Sequence, residues 1–168
     1  MTVAGLEALN TLPAAQLRER LSSCCAARAW VEQILGGWPY PDLDALLAAS
    51  DRAIEPLEPD DVAQALAAHP RIGQRASGSS TEATSSRQEQ ASVADADAEV
   101  QRELRDGNLA YEERFGHVFL ICATGRSAPE MLTALRERLG NDPDTERKIV
   151  TEELRKITRL RLERLLTS

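Results

Sequence analysis

Along most of this chain the apolar side chains recur once per helical turn, and the breaks between such runs fall at prolines, glycines and capping residues. Pro13 suits the first position of a helix, and Leu17, Leu21 and Cys25 follow on one stripe. A second, short helix covers about residues 28–35 and ends at Gly36-Gly37. Trp38-Pro39-Tyr40-Pro41 makes a rigid link, because each proline restricts the residue before it. Asp42 then caps a helix carrying Leu43, Leu46, Leu47 and Ile54. Pro59 opens another, with Val62, Ala65 and Leu66 inward. It must stop before Pro70, which puts His69 at its C-terminal end.

Residues 73–84 are small and polar and predict a loop. A long helix is expected from about Ser86 to Asp106, terminated by Gly107. Asn108 caps the next, which carries Leu109, Tyr111 and Phe115 and ends at Gly116. Residues 117–125 (HVFLICATG) are continuously apolar and rich in β-branched and aromatic side chains, as in a buried strand. No second convincing strand exists to pair with them, so the pattern predicts an extended, buried connector. Ser127-Ala128-Pro129-Glu130 is a capping box with proline inside, ahead of Leu132, Leu135 and Leu139. Gly140 ends that helix, and Asp142-Pro143 starts the last one, which runs to about Leu166. The expected fold is all-α: one domain over residues 1–168, a bundle of about eight helices around a buried connector. The polar stretch is not expected to divide two domains, because neither half alone carries enough apolar surface for a comfortable core.

Composition narrows the partners. The net charge is −7 over 168 residues, and the pI is about 5.0. Binding phosphates or an anionic lipid surface needs a concentrated basic face, so neither nucleic acid nor membrane is expected. The N-terminus lacks a signal-peptide pattern. The three cysteines, two of them adjacent, make an improbable disulfide framework, and a reducing cytoplasm is the expected compartment. With two histidines and neither CxxC nor HExxH, no metal site is expected.

Candidate chemistry gathers in residues 69–90. His69 is locked against Pro70 at the front of the polar stretch. A histidine there can cap a helix C-terminus, or it can exchange a proton near neutrality. Ser86-Arg87-Gln88-Glu89 has the form of a capping box, and the cap is its commoner meaning. Gln90 is the addition a cap does not require: with Ser86 it offers a hydroxyl and an amide on one helix face. In the last helix, Val150, Leu154, Ile157 and Leu165 share a stripe with Arg161 in its middle, while Arg155 and Arg159 lie on the opposite, solvated face. A guanidinium aimed at the core must find an anion or a set of carbonyls. Spacing leaves open an internal salt bridge, with Glu89 as a candidate partner, or a ligand clamp. His117 begins an apolar run and suits a core or rim position. Cys122 suits a buried inert thiol. Trp30, Trp38 and Tyr40 suit core anchors.

The sequence resembles the OHCU decarboxylase family (2-oxo-4-hydroxy-4-carboxy-5-ureidoimidazoline decarboxylase) of uric acid breakdown. The residues that carry the likeness are His69-Pro70-Arg71-Ile72-Gly73, Ser86-Arg87-Gln88-Glu89-Gln90 and Tyr111-Glu112-Glu113-Arg114-Phe115-Gly116. Phe119-Leu120-Ile121-Cys122-Ala123 and Lys156-Ile157 ahead of Leu160-Arg161-Leu162 continue it, and Leu9-Asn10-Thr11-Leu12-Pro13 and Trp30 match the family's start. Each motif is short, but their order and separation span nearly the whole chain. Val118 departs from the pattern, where many members have proline. The resemblance implies an all-helical homodimer that needs neither metal nor organic cofactor. It implies that OHCU is the small-molecule substrate and that the products are (S)-allantoin and carbon dioxide. It makes His69 the catalytic acid; Glu89 is expected to share the catalysis by setting the tautomer and orientation of the His69 imidazole. It places substrate contacts at Pro70, at Ser86, Arg87, Gln88, Glu89 and Gln90, at the backbone of Phe119, Leu120, Ile121, Cys122 and Ala123, and at Arg161.

Two other readings remain. A non-catalytic helical interaction module would make these motifs caps and Arg161 a structural ion pair. A hydrolase using Ser86 with His69 lacks a nucleophile elbow or an oxyanion loop.

Overall fold

The computed structural model describes residues 3–72, 81–89, 91, 96 and 98–167. Among the described residues there are nine α-helices and no strand: α1 (Val3–Asn10), α2 (Ala14–Cys24), α3 (Arg28–Gly36), α4 (Leu43–Ile54), α5 (Pro59–Leu66), α6 (Thr81–Glu89), α7 (Ala98–Phe115), α8 (Ala128–Leu139) and α9 (Pro143–Thr167). The chain divides into two compact units, Met1–Ala65 with Leu154–Ser168, and Leu66–Glu153. No helix among the described residues is long and apolar enough to cross a membrane.

The expected caps account for most helix boundaries. Asp42 accepts a hydrogen bond from the Ala45 amide at 2.8 Å and so starts α4. Ser127 and Glu130 close a reciprocal capping box on α8, and Gly140 caps its C-terminus. Asp142 accepts from the Thr145 amide at 2.8 Å at the head of α9. Those bonds hold the Asp142 carboxyl below the usual carboxylate range.

The first unit is built from α1–α5 and the C-terminal part of α9. Leu17, Leu21, Trp30, Ile34, Leu46, Ile54, Leu154, Ile157 and Leu162 are buried there. Trp30 donates its indole N–H to Ser50 Oγ at 3.2 Å, which satisfies both buried groups. Trp38 and Tyr40 are only half-buried and pack edge to face. Arg155 and Arg159, on the face opposite the core stripe, stay partly exposed and converge on Asp51 of α4, at 3.7 Å and 2.7 Å. The half-turn between α9 positions that separates them from the core stripe is still within reach of a neighbouring helix.

In the second unit, α7 and α8 lie against one core of Ile72, Leu104, Tyr111, Phe119, Ile121, Ala123, Met131, Leu132 and Leu135. Here the sequence reading needs four corrections. Residues 81–84 are helical, so Ser86 lies inside α6 rather than at its cap. Thr, Glu and Ala have ordinary helix propensities, and smallness alone does not break a helix. The expected helix from Ser86 to Asp106 is interrupted: α6 ends at Glu89, Ala96 lies in a bend and α7 begins at Ala98. Gly107 and Asn108 neither end nor begin a helix, because both sit inside α7. A Cβ at Gly107 would come within 2.5 Å of Leu135 Cδ2, so the glycine admits α8 at close range. Leu109 is exposed rather than inward, at 52%. The remainder of the expected loop, residues 73–80, lies outside the described residues.

Candidate active site

His69 lies beyond the end of α5 rather than at its cap. Its amide donates to Leu66 O at 2.9 Å, which turns the chain, and Pro70 then fixes the exit direction. Both residues are half-buried. The segment is tied down after the proline. Ile72 is buried in the second unit's core, its carbonyl accepts from Asn108 Nδ2 at 2.7 Å, and Arg71 Nε donates to both Glu112 oxygens at 2.9 Å and 3.0 Å. Burying a side chain of Ile size contributes about 1.5–3 kcal/mol, so the apolar anchor dominates. The exposed Arg71–Glu112 pair adds direction more than strength.

Glu89 closes α6 and is half-buried, as is Arg87, while Gln88 is exposed. Ser86 and Glu89 both belong to α6, with Glu89 as its last residue. Gln90 lies outside the described residues.

The connector is as expected. It is bracketed by Gly116 and Gly125, both at φ +81°, a conformation L residues with a Cβ rarely adopt. Residues 119–123 are all buried. Phe119, Ile121 and Ala123 enter the core cluster and Leu120 and Cys122 do not, which is the two-residue period of an extended chain. In such a chain the backbone polar groups of alternate residues point to opposite edges. One edge is occupied: Arg138 Nη1 donates to Leu120 O at 2.6 Å, and the Cys122 amide donates to Glu153 Oε1 at 3.1 Å. The other edge belongs to Phe119, Ile121 and Ala123. Ala123 O accepts from the Arg126 amide at 3.0 Å. Among the described residues nothing pairs with the N–H or C=O of Ile121, a residue only 4% exposed. A buried donor and acceptor side by side suit an amide-like or ureido ligand.

The occupied edge leads to a buried polar cluster. Arg138 Nη2 donates to Glu146 Oε2 at 2.5 Å and Nε to the same oxygen at 2.9 Å, and its guanidinium lies 4.5 Å from the Phe119 ring centroid. Tyr111 donates its hydroxyl to Glu146, and Asn141 Nδ2 donates to Glu146 Oε1 at 3.2 Å. Burial, then the Glu146 contact, push the Tyr111 phenol well above its ordinary value. Removing one partner of such a pair costs about 3–5 kcal/mol.

Sequence reasoning passed over this cluster, though the signal was present. Glu146 and Glu153 fall on the same α9 stripe as Val150, Ile157 and Arg161, and Arg138 on the α8 stripe of Met131 and Leu135. The test that singled out Arg161 applies to each of them.

Arg161 is buried as its stripe position requires, 3% exposed, and donates to Ser23 O at 3.3 Å near the C-terminal end of α2. It belongs to the first unit; His69, Pro70, α6 and the connector belong to the second. Cys24 and Cys122 are buried and in no disulfide, and burial pushes the Cys24 thiol up to about 12 against the opposing pull of Arg161. His117 is half-buried at the rim, with Nδ1 3.0 Å from Val118 O. Among the described residues no cluster of three or more His, Cys, Asp or Glu could hold a metal ion.

Comparison with known proteins adds to this geometry. The chain is 37% identical over 145 residues to the "Uric acid degradation bifunctional protein TTL" of Arabidopsis thaliana, a match covering 84% of this chain and 45% of that protein. It therefore spans under half of that relative's length. It is 34% identical over 140 residues to the 2-oxo-4-hydroxy-4-carboxy-5-ureidoimidazoline decarboxylase of Amia calva, covering 82% and 77%. A crystal structure of OHCU decarboxylase in the presence of (S)-allantoin matches with a TM-score of 0.76 and 30% identity, over 89% of this chain and 99% of that one. The OHCU decarboxylase family model matches residues 10–163, which take in every candidate residue from His69 to Arg161, and the chain belongs to that family.

Proposed function

We infer that this chain is a carboxy-lyase that converts 2-oxo-4-hydroxy-4-carboxy-5-ureidoimidazoline to (S)-allantoin and carbon dioxide in uric acid degradation. The match of residues 10–163 to the family carries the reading. The pinned histidine segment and the one-sided connector support it, because each has the form the chemistry needs.

Breaking the bond to the carboxylate leaves an electron pair, which the neighbouring ring imine of this substrate takes up. The protein's tasks are then to hold the carboxylate out of the ring plane, polarise the substrate hydroxyl and deliver a proton to one face. His69 is assigned the proton transfers and Glu89 the orientation of its imidazole. Ser86, Gln90 and the Ile121 edge of the connector are assigned the ureido group and ring. By the same reading the chain works in the cytoplasm as a homodimer, which light scattering would show as twice the chain mass.

The test generates the substrate in situ from urate and follows carbon dioxide release and allantoin chirality with and without the protein. Faster release with an excess of the (S) form supports the reading. A racemic product at an unchanged rate refutes it.

A further inference from the structure

The motif that includes Tyr111 and Glu112 on α7 has no part in the chemistry assigned above, yet α7 reaches the histidine segment twice. Asn108 is 1% exposed in mid-helix. Its Nδ2 donates to Ile72 O at 2.7 Å and to Leu104 O at 2.8 Å, while its Oδ1 has no partner among the described residues. One turn on, Glu112 holds the Arg71 guanidinium through both carboxylate oxygens.

Folding alone gives little reason for this asparagine. Leu104 O can be satisfied by the helix itself, Asn is a middling helix former, and the buried Oδ1 goes unpaired at a cost. What the residue adds is a bond to one carbonyl, three residues after His69. The segment from His69 to Ile72 is thereby held at both ends, at the His69 amide by Leu66 O and at the Ile72 carbonyl by Asn108. Between those points Pro70 removes one backbone freedom.

We propose that Asn108, with Glu112 as a second point of attachment through Arg71, is a positioning residue that fixes the direction of the His69 imidazole towards one face of the substrate. The proposal rests on the decarboxylase reading. It extends it by making α7 the template on which the acid is aimed. A misplacement of about 1 Å at a reacting group can cost on the order of a hundredfold in rate.

The test compares the wild type with Asn108→Ala and Arg71→Ala, each checked for its fold by circular dichroism and thermal melting. Enzyme is added in enough excess to outrun spontaneous decay of the substrate. The readouts are kcat, the affinity for (S)-allantoin and the enantiomeric excess of the allantoin formed. The expected result for Asn108→Ala is a fall in kcat of about ten- to a hundredfold, with affinity held within about threefold and the (S) excess reduced. Arg71 is exposed and its loss should leave the fold intact, with the same changes in smaller measure. Loss of folded protein alone lowers kcat but not the enantiomeric excess, so the chirality separates positioning from stability. Folded variants with wild-type kcat and wild-type (S) excess overturn the proposal while leaving the decarboxylase reading standing. If Asn108→Ala does not fold, an unchanged (S) excess in Arg71→Ala overturns it. A wild type with no activity overturns the decarboxylase reading itself.

Discussion

A histidine that precedes a proline has its backbone direction set before any packing takes place, and at position 69 the turn onto Leu66 O and the burial of Ile72 complete the constraint. His69→Ala is accordingly expected to lose at least about a hundredfold in kcat while melting within a few degrees of the wild type. Steady-state turnover near the wild-type rate would remove His69 from the mechanism. Cys24 supplies a different prediction. Its thiol is raised from 9.0 to about 12, chiefly by burial. Below the lower value both folded and unfolded chains keep the proton. Between the two the unfolded chain gives it up and the folded chain does not, so stability falls as pH rises through that window. The Tyr111 phenol is shifted in the same direction. Urea midpoints measured from about pH 8 to 11 should decline above about 9, and Cys24→Ala should flatten part of that decline. Identical slopes in the two proteins would show that the thiol does not contribute.

At the level of elements, α7 and the connector organise the second unit. Gly107 shows how packing overrides propensity. Alanine there would gain about 1 kcal/mol of helix propensity, but its Cβ would press on the fully buried Leu135. Overpacking costs about 1–3 kcal/mol, so Gly107→Ala is expected to destabilise by about 1 kcal/mol in chemical denaturation. A stabilised variant would contradict the close crossing of α7 and α8. The same residue marks where the sequence stopped being legible. Helices begun by Asp42, Pro59 and Ser127 were readable because a cap acts within one turn of chain. Gly107 and Asn108 resemble a stop and a start by the same local rule. Only the distant Leu135 and Ile72 show why they sit inside one helix. The buried Glu146 and Glu153 could have been found from their stripe, as Arg161 was. What each of them meets, the Arg138 guanidinium for Glu146 and the Cys122 amide for Glu153, could not, since spacing says which face a charge takes and not what lies opposite it.

Among the described residues the expectation of an all-helical fold holds, because the 3.6-residue pattern runs through nearly every long segment and gives way to an extended one between Gly116 and Gly125. The family resemblance was legible in motifs spread from Leu9 to Leu162, and the family match covers almost the same span. The net charge of −7 gives an anionic substrate no long-range attraction. Recognition must then come from groups in contact with it, and the account places His69 among them. The chain has two histidines, so its imidazole spectrum contains two sets of ring signals, assignable with His69→Ala. The most direct measurement is the pH titration of those signals by NMR with and without saturating (S)-allantoin. The account predicts that the ligand moves the His69 ring signals and their titration midpoint. A His69 ring that titrates identically in both conditions would contradict it.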